Sequence, residues 1–205
     1  MEGASFSLIV KDVHNGETVF AYDTLRQLTP ASVMKTVTTA TALEILGEDY
    51  RFPTTLAYDG SIEKGLLKGN LYIKGSGDPS LGSAHFAPYH KRFLQEWISA
   101  LKKVGIHKIQ GAVIADESIF DTEGTSFKWV GEDMGSYYGA GSYGLCVFDN
   151  LYKLGLQTGA PGSRPKLKGT EPELSGIHFH NYLTAQQVSS DSSFIVGAPF
   201  ATDRY

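Results

Sequence analysis

The clearest structural signal in this chain of 205 residues is the run Leu28-Thr-Pro-Ala-Ser-Val-Met-Lys-Thr-Val-Thr-Thr-Ala-Thr-Ala-Leu43. Apolar residues stand at positions 33, 34, 37, 40, 43, 45 and 46, and Gly47 follows as a C-cap. The pattern predicts a helix from Ala31 to Leu46, entered through Pro30. Three threonines between positions 36 and 39 lower its helix propensity, so we expect burial of the apolar stripe to hold the helix.

A β-hairpin is predicted before this helix. Phe6-Ser-Leu-Ile-Val-Lys-Asp12 has the composition of a strand, Asn15-Gly16 is a strong turn signal, and Thr18-Val-Phe-Ala-Tyr22 fits the returning strand. An opening of strand, strand and helix is typical of an antiparallel sheet covered by a helix. The predicted class is therefore α+β.

The pattern changes after Pro53, where short strands separated by glycine-rich turns replace long periodic segments. An amphipathic helix is predicted from Tyr89 to Val104. Strands are predicted at 54–58, 69–74, 111–115, 144–148, 151–157, 177–182 and 193–196. We therefore expect two domains, residues 1–58 and residues 59–205, the second α+β at first and largely β later.

Composition excludes some function classes and leaves others open. The formal charge of −4 and the pI near 5.8 give no electrostatic reason to bind nucleic acid. The opening residues, Met1 to Ser5, lack the basic and apolar regions of a signal peptide, so either the protein is cytoplasmic or an export signal was trimmed away. Cys146 is the only cysteine, so an intrachain disulfide is excluded. The ending at Tyr205, with no closing helix, suggests a fragment.

Ser32 and Lys35 carry the candidate chemistry. Ser32 falls in the first turn of the predicted helix, and Lys35 follows three residues later on the same face. A serine hydroxyl needs a base to become a nucleophile, and a partly neutral lysine amine can serve as one. The Ser32 N–H at the helix start could supply half of an oxyanion hole.

The Ser-x-x-Lys spacing is weak evidence by itself, because it occurs four times in this chain. The other pairs are Ser61 with Lys64, Ser99 with Lys102 and Ser163 with Lys166. Only Ser32 follows a strand and a proline-containing turn and opens an apolar helix. From spacing alone, a helix N-cap serine beside a solvated lysine is the commoner arrangement.

The sequence around Ser32 resembles the active-site helix of the low-molecular-mass penicillin-binding proteins. The similar run extends from Leu28 to Leu56 and includes Ala-Leu-Glu-Ile-Leu-Gly-Glu-Asp-Tyr-Arg-Phe-Pro-Thr-Thr-Leu. Further similar runs follow in the same order: Gly65-Leu-Leu-Lys-Gly-Asn-Leu-Tyr-Ile-Lys-Gly-Ser-Gly-Asp-Pro-Ser-Leu81, Ile109-Gln-Gly-Ala-Val-Ile-Ala-Asp-Glu-Ser-Ile-Phe120, Gly139-Ala-Gly-Ser-Tyr-Gly144 and Asp149-Asn150. They match the D-Ala-D-Ala carboxypeptidase/endopeptidase group that has an inserted domain.

This resemblance implies the start of a β-lactamase/transpeptidase-like domain followed by a largely β inserted domain. It implies a serine peptidase that acts on peptidoglycan stem peptides through an acyl-enzyme on Ser32, binds β-lactam antibiotics at the same serine and needs no cofactor or metal. A periplasmic or cell-envelope location follows from that substrate. The Ser-x-Asn and Lys-Thr-Gly elements of the family occur nowhere in residues 1–205, so we expect the chain alone to be weak or inactive.

The resemblance also implies a substrate-binding residue. The segment Trp129-Val-Gly-Glu-Asp-Met134 aligns with an insert segment whose aspartate faces the amino end of the stem peptide. Asp133 takes that position, where a carboxylate would suit an ammonium group. A solvated loop acid is the alternative for this residue.

Other functions stay open at this stage. A serine β-lactamase would share Ser32 and Lys35, and a non-catalytic cell-wall-binding module would retain them without activity. Gly139–Gly144 fits G-x-G-x-x-G, but a turn is favoured over a dinucleotide site because a strand is predicted to follow it. The His178-Phe-His180 pair has no third zinc ligand nearby. An exposed sheet edge in the first domain could drive homodimer formation.

Overall fold

The computed structural model describes residues 3–86, 92–121, 123–134, 136–185 and 193–197. The chain divides into two compact units, and the division falls between Arg51 and Phe52. The sequence placed the boundary at residue 58. The difference has a simple cause, because residues 55–58 form a strand that pairs within the second unit.

The first unit is a β-hairpin followed by a helix, as the sequence predicts. Its elements are β1 (Leu8–Lys11), β2 (Thr18–Tyr22), a 3₁₀ turn (Ala31–Val33) and α1 (Met34–Leu46). The two strands are antiparallel. The helix ends where Gly47 adopts a φ of 80° and its N–H donates to Leu43 O at 3.0 Å. A left-handed residue at this position is the usual role of a C-cap glycine.

Burial of α1 was expected, and that prediction is wrong for this chain. None of the α1 residues is buried, and the exposed fractions of Val37, Leu43 and Ile45 are 60%, 61% and 74%. The physical reason is the size of the sheet beside it in sequence. A two-stranded hairpin is too small to build a core of its own.

The second unit begins with three long strands that are each broken at the same level. The six resulting strands are β3 (Thr55–Tyr58), β4 (Ser61–Glu63), β5 (Leu66–Lys68), β6 (Leu71–Lys74), β7 (Lys108–Gln110) and β8 (Val113–Asp116). They form two three-stranded sheets with the orders β3-β6-β8 and β4-β5-β7. The breaks fall at residues 59–60, 69–70 and 111–112, so the two sheets are halves of one bent surface.

Two connections set the strand directions in this bent sheet. Lys64 and Gly65, with φ of 50° and 86°, form the two-residue turn between β4 and β5. Such a turn requires positive φ at both residues. The second helix, α2 (Phe93–Lys103), lies in the crossover that makes β7 parallel to β5. Residues 89–91 of the predicted helix lie outside the described residues.

The core of the second unit lies around the bent sheet and α2. Leu67, Leu71 and Ile106 are between 0% and 4% exposed. The Phe93 ring at the start of α2 meets the rings of Trp97 and Phe148 edge to face, at centroid distances of 5.0 and 5.7 Å. These contacts join α2 to the segment that follows residue 144.

A third sheet completes the described part of the second unit. It has the antiparallel order β10-β9-β11, formed by β9 (Tyr152–Gln157), β10 (Lys166–Glu171) and β11 (Ser193–Gly197). The strands predicted at 151–157 and 193–196 are confirmed, and β10 was missed. The strands predicted at 144–148 and 177–182 are wrong. Leu145 makes one isolated bridge with Asp78, and residues 177–182 are irregular. The α+β class is confirmed.

Candidate active site

Ser32 and Lys35 meet at the start of the first helix. Ser32 lies in the 3₁₀ turn, and Lys35 lies in the first turn of α1. Lys35 Nζ donates a hydrogen bond to Ser32 Oγ at 3.0 Å. The three-residue spacing places the two side chains on one face, so amine and hydroxyl are in direct contact for proton transfer.

The backbone before Ser32 turns sharply into the helix. Pro30 has a φ of −73°, and Ala31 adopts a left-handed φ of 45°. Left-handed geometry at a residue other than glycine is uncommon and is disfavoured by roughly 1–2 kcal/mol. Ser32 follows directly, and its N–H is among the first donors of the helix, which have no carbonyl partner within the helix. A donor in that position suits a developing oxyanion.

The threonine hydroxyls of α1 bond back to carbonyls of the helix itself. The hydroxyls of Thr38 and Thr41 donate to Met34 O and Val37 O at 3.2 and 2.9 Å. Thr39 donates in the same way to Lys35 O. Each hydroxyl thus bonds a carbonyl one turn earlier, which satisfies these polar side chains on an exposed helix.

The other three Ser-x-x-Lys matches lack this arrangement. Ser61 begins strand β4, and Ser99 lies inside α2. The Ser163 hydroxyl donates to Ala160 O at 2.6 Å. In the part of the chain that the structure describes, none of these three serines bonds its lysine. The pair at the start of α1 is therefore distinguished by geometry as well as by sequence.

Asp133 belongs to the second unit, whereas Ser32 and Lys35 belong to the first. Its side chain is exposed. Its backbone forms two turns, since its N–H donates to Val130 O at 3.1 Å and its carbonyl accepts from Ser136 N at 3.1 Å. Ser136 Oγ donates to the same carbonyl at 2.6 Å. The carboxylate is thus presented on a hydrogen-bonded turn.

The model of the D-Ala-D-Ala carboxypeptidase 3 (S13) family matches residues 1–205. The chain belongs to this family. It is 33% identical over 147 residues to a D-alanyl-D-alanine carboxypeptidase of Actinomadura sp. strain R39, which covers 72% of this chain and 26% of that protein. It is 29% identical over 133 residues to D-alanyl-D-alanine carboxypeptidase DacB of Haemophilus influenzae, covering 65% and 26% of the two chains.

Two solved structures share the fold of this chain. Penicillin binding protein 4 (dacB) of H. influenzae superimposes with a TM-score of 0.73 at 21% identity, over 95% of this chain and 47% of that one. The same protein complexed with a novel β-lactam gives a TM-score of 0.64 at 21% identity, over 97% and 45%. The S13 chain described here therefore spans about a quarter of the curated relatives and about half of the solved chains.

Gly139–Gly144 and Cys146 both have a structural role in the described residues. Gly139–Gly144 is followed by an isolated bridge and a 3₁₀ turn, so the helix that a dinucleotide would need is missing from this described segment. Cys146 is 9% exposed, and its thiol donates to Tyr143 O at 3.2 Å. Asn150, which sequence analysis did not assign, donates from Nδ2 to Cys146 Sγ at 3.1 Å.

No helix in the described residues combines the length and apolar character that a bilayer crossing requires.

Proposed function

We propose that this chain is part of a serine-type D-Ala-D-Ala carboxypeptidase/endopeptidase that acts on peptidoglycan stem peptides. Ser32 is the nucleophile and Lys35 is its base. The observation that carries the proposal is the 3.0 Å contact between Lys35 Nζ and Ser32 Oγ at a helix start. Family membership over residues 1–205 supports the reaction class.

The reaction follows from the position of these two groups. Ser32 Oγ attacks the carbonyl carbon of the penultimate D-Ala, and its proton passes to Lys35 Nζ. The C–N bond to the terminal D-Ala then breaks, and the departing amine takes that proton. Water hydrolyses the remaining ester and regenerates the hydroxyl. The Ser32 N–H stabilises the oxyanion in both tetrahedral intermediates.

β-Lactams acylate the same serine in this proposal, because their strained amide presents an equivalent carbonyl. The solved H. influenzae relative in complex with a β-lactam supports this expectation. Asp133 binds the ammonium group of the stem peptide through a charge-assisted hydrogen bond. Such a substrate lies in the cell envelope, so we place the protein there or in the periplasm.

In this proposal the first unit, residues 1–51, begins the transpeptidase-like domain, and residues 59–205 belong to the inserted domain together with the strand Thr55–Tyr58 that pairs with β6. The Ser-x-Asn and Lys-Thr-Gly elements are not found in residues 1–205. An enzyme that joins this chain to those two elements is called the complete enzyme below. The 205-residue chain alone should acylate slowly or not at all.

Labelling with fluorescent penicillin tests the proposal. The complete enzyme should take up one label per chain on the tryptic peptide of residues 27–35 and release it slowly. Ser32→Ala should abolish the label, while the matched control Ser61→Ala should keep it. Retention of label by Ser32→Ala would refute the nucleophile, and rapid turnover of the drug would indicate a β-lactamase instead. Stoichiometric labelling of the 205-residue chain would refute the expectation that this chain alone acylates slowly or not at all.

A further inference from the structure

Asp133 is carried by a loop whose two ends meet. The structure describes residues 125–134 and 136–141 of this loop. At its base the Ser142 N–H donates to Gly124 O at 2.9 Å. Most of its residues up to Asp133 are exposed, whereas Gly139 and Gly141 at its end are buried. A loop of this kind depends on its closing contacts for a fixed shape.

The three glycines of Gly139-Ala-Gly-Ser-Tyr-Gly144 each allow a close approach to a different residue. A Cβ on Gly139 would lie 2.1 Å from the carbonyl oxygen of Asp133 itself. A Cβ on Gly141 would lie 2.7 Å from the Tyr143 ring, and one on Gly144 would lie 2.4 Å from Glu117 O. The motif therefore serves close packing, which explains its glycines without a phosphate ligand.

Tyr143 fills the base of the loop from within. Its ring lies against both ends of the loop, because a Cβ on Gly124 would come within 2.3 Å of it and a Cβ on Gly141 within 2.7 Å. Asn150 extends this contact by donating from Nδ2 to Gly141 O at 2.8 Å. Phe148 lies in the same 3₁₀ turn as Asn150. Its N–H donates to the carbonyl oxygen of the buried Leu81 at 2.8 Å, and its ring meets that of Phe93. A continuous set of contacts thus joins the loop base to the core.

We propose that Gly139, Gly141, Tyr143 and Asn150, here called the loop anchor, position Asp133 to receive the substrate ammonium. Gly139 and Tyr143 are positioning residues, since they act through the backbone of Asp133 and the loop base. This inference rests on the proposed function, in which Asp133 meets an ammonium group. The inference predicts that the loop anchor affects binding of the substrate ammonium group and leaves acyl transfer to Ser32 unchanged.

Kinetics of the complete enzyme test the proposal with two alanine substitutions in one loop. Gly139→Ala must displace the Asp133 backbone, whereas Gly131→Ala is the matched control, because nothing lies within 4 Å of its Cβ. On a D-Ala-D-Ala peptide with a free side-chain ammonium, Gly139→Ala should raise KM about tenfold, the loss expected for one charge-assisted hydrogen bond. Its kcat and its acylation by benzylpenicillin should stay within about twofold of wild type. On the N-acetylated peptide the two variants should behave alike.

The variant Asp133→Asn distinguishes the role of the loop anchor from the proposed role of Asp133 itself. If Asp133→Asn fails to reduce the preference for the free ammonium, the proposed role of Asp133 is wrong. If Asp133→Asn reduces it and Gly139→Ala does not, the anchor is wrong. Loss of benzylpenicillin acylation in Gly139→Ala would also contradict the anchor, because the effect would then be general.

Limited proteolysis of the 205-residue chain gives a second measurement that does not depend on activity. Trypsin can cut after Lys128, which is exposed in the loop. Tyr143→Ala should speed that cut several-fold, while Tyr143→Phe, which keeps the ring, should match wild type. Equal cleavage rates for Tyr143→Ala and Tyr143→Phe would overturn the proposal. This test stays valid even if Gly139→Ala does not fold.

Discussion

Asp59 accepts two hydrogen bonds from Asn70, one from the backbone N–H at 2.6 Å and one from Nδ2 at 3.0 Å. Asn70 Oδ1 in turn accepts from Ala112 N at 3.0 Å, so one side chain joins all three strands where the sheet bends. Tyr72 adds its hydroxyl to Asp59 Oδ2 at 2.8 Å. The bend is therefore held by a polar clamp on a partly exposed surface.

The clamp predicts acid-sensitive stability. Hydrogen bonds from the Asn70 N–H, the Tyr72 hydroxyl and the Asn70 amide lower the pKa of Asp59 below 3.8, its ordinary value. A carboxyl whose pKa is lower in the folded state stabilises the protein above the unfolded pKa, and the contribution is lost as pH falls through the folded value. Wild type should thus lose stability below about pH 4, and Asp59→Asn should lose less.

Urea unfolding midpoints between pH 3 and pH 7 check this expectation. Asp116 keeps its own low pKa, caused by hydrogen bonds from Ser118, so Asp59→Asn should reduce the acid dependence without removing it. Identical pH profiles for the two proteins would show that Asp59 does not contribute.

Glycines at the bend should resist substitution. A Cβ on Gly111 would lie 2.1 Å from Gly69 O, and one on Gly69 would lie 2.3 Å from Asp59 O. Since these neighbours are backbone atoms held between paired strands, Gly111→Ala should lower the free energy of unfolding by about 1–3 kcal/mol. Gly131→Ala, with open space around it, should change it by less than about 0.5 kcal/mol. Urea denaturation measures both, and equal stabilities would contradict the packing of the bend.

Local patterns predicted the first unit well. The hairpin and the helix follow from Asn15-Gly16, alternating strand residues and the apolar spacing after Pro30. The contact between Ser32 and Lys35 also follows, because a three-residue spacing fixes one helix face. What failed was the burial of α1, since burial depends on which other elements lie against a helix.

Long-range packing explains the remaining errors. Leu145 to Phe148 has strand composition, but the segment bonds instead with Asp78 and Leu81, more than sixty positions earlier. Close approaches to Asp133, Tyr143 and Glu117 decide the role of Gly139–Gly144, whose spacing alone fits several motifs. Strand β10 was missed because Lys168 and Gly169 in its middle have weak β propensity, and the three-residue strands β4, β5 and β7 were missed as well.

Lys35→Arg should strongly slow acylation of the complete enzyme. Arginine keeps the positive charge but cannot be deprotonated in proteins, so it cannot accept the Ser32 proton. Loss of a general base reduces rates by about 10²–10⁴-fold. A time course of fluorescent penicillin labelling measures the change. Lys102→Arg is the matched control from another Ser-x-x-Lys pair and should label at the wild-type rate. A Lys35→Arg rate within threefold of wild type would exclude Lys35 as the base.

The 205-residue chain should self-associate through its first unit. Among the described residues, β1 and β2 pair only with each other, and Val19 on β2 is 70% exposed. An exposed apolar edge strand favours pairing with a second copy, and a lysine there opposes it. The light-scattering mass should rise with concentration in wild type and stay nearer one chain in Val19→Lys. Val104→Lys, at a residue 54% exposed after α2, is the matched control and should behave as wild type. A wild-type mass of one chain at every concentration would exclude the homodimer, whereas equal effects of both lysines would assign the association to net charge instead of the strand edge.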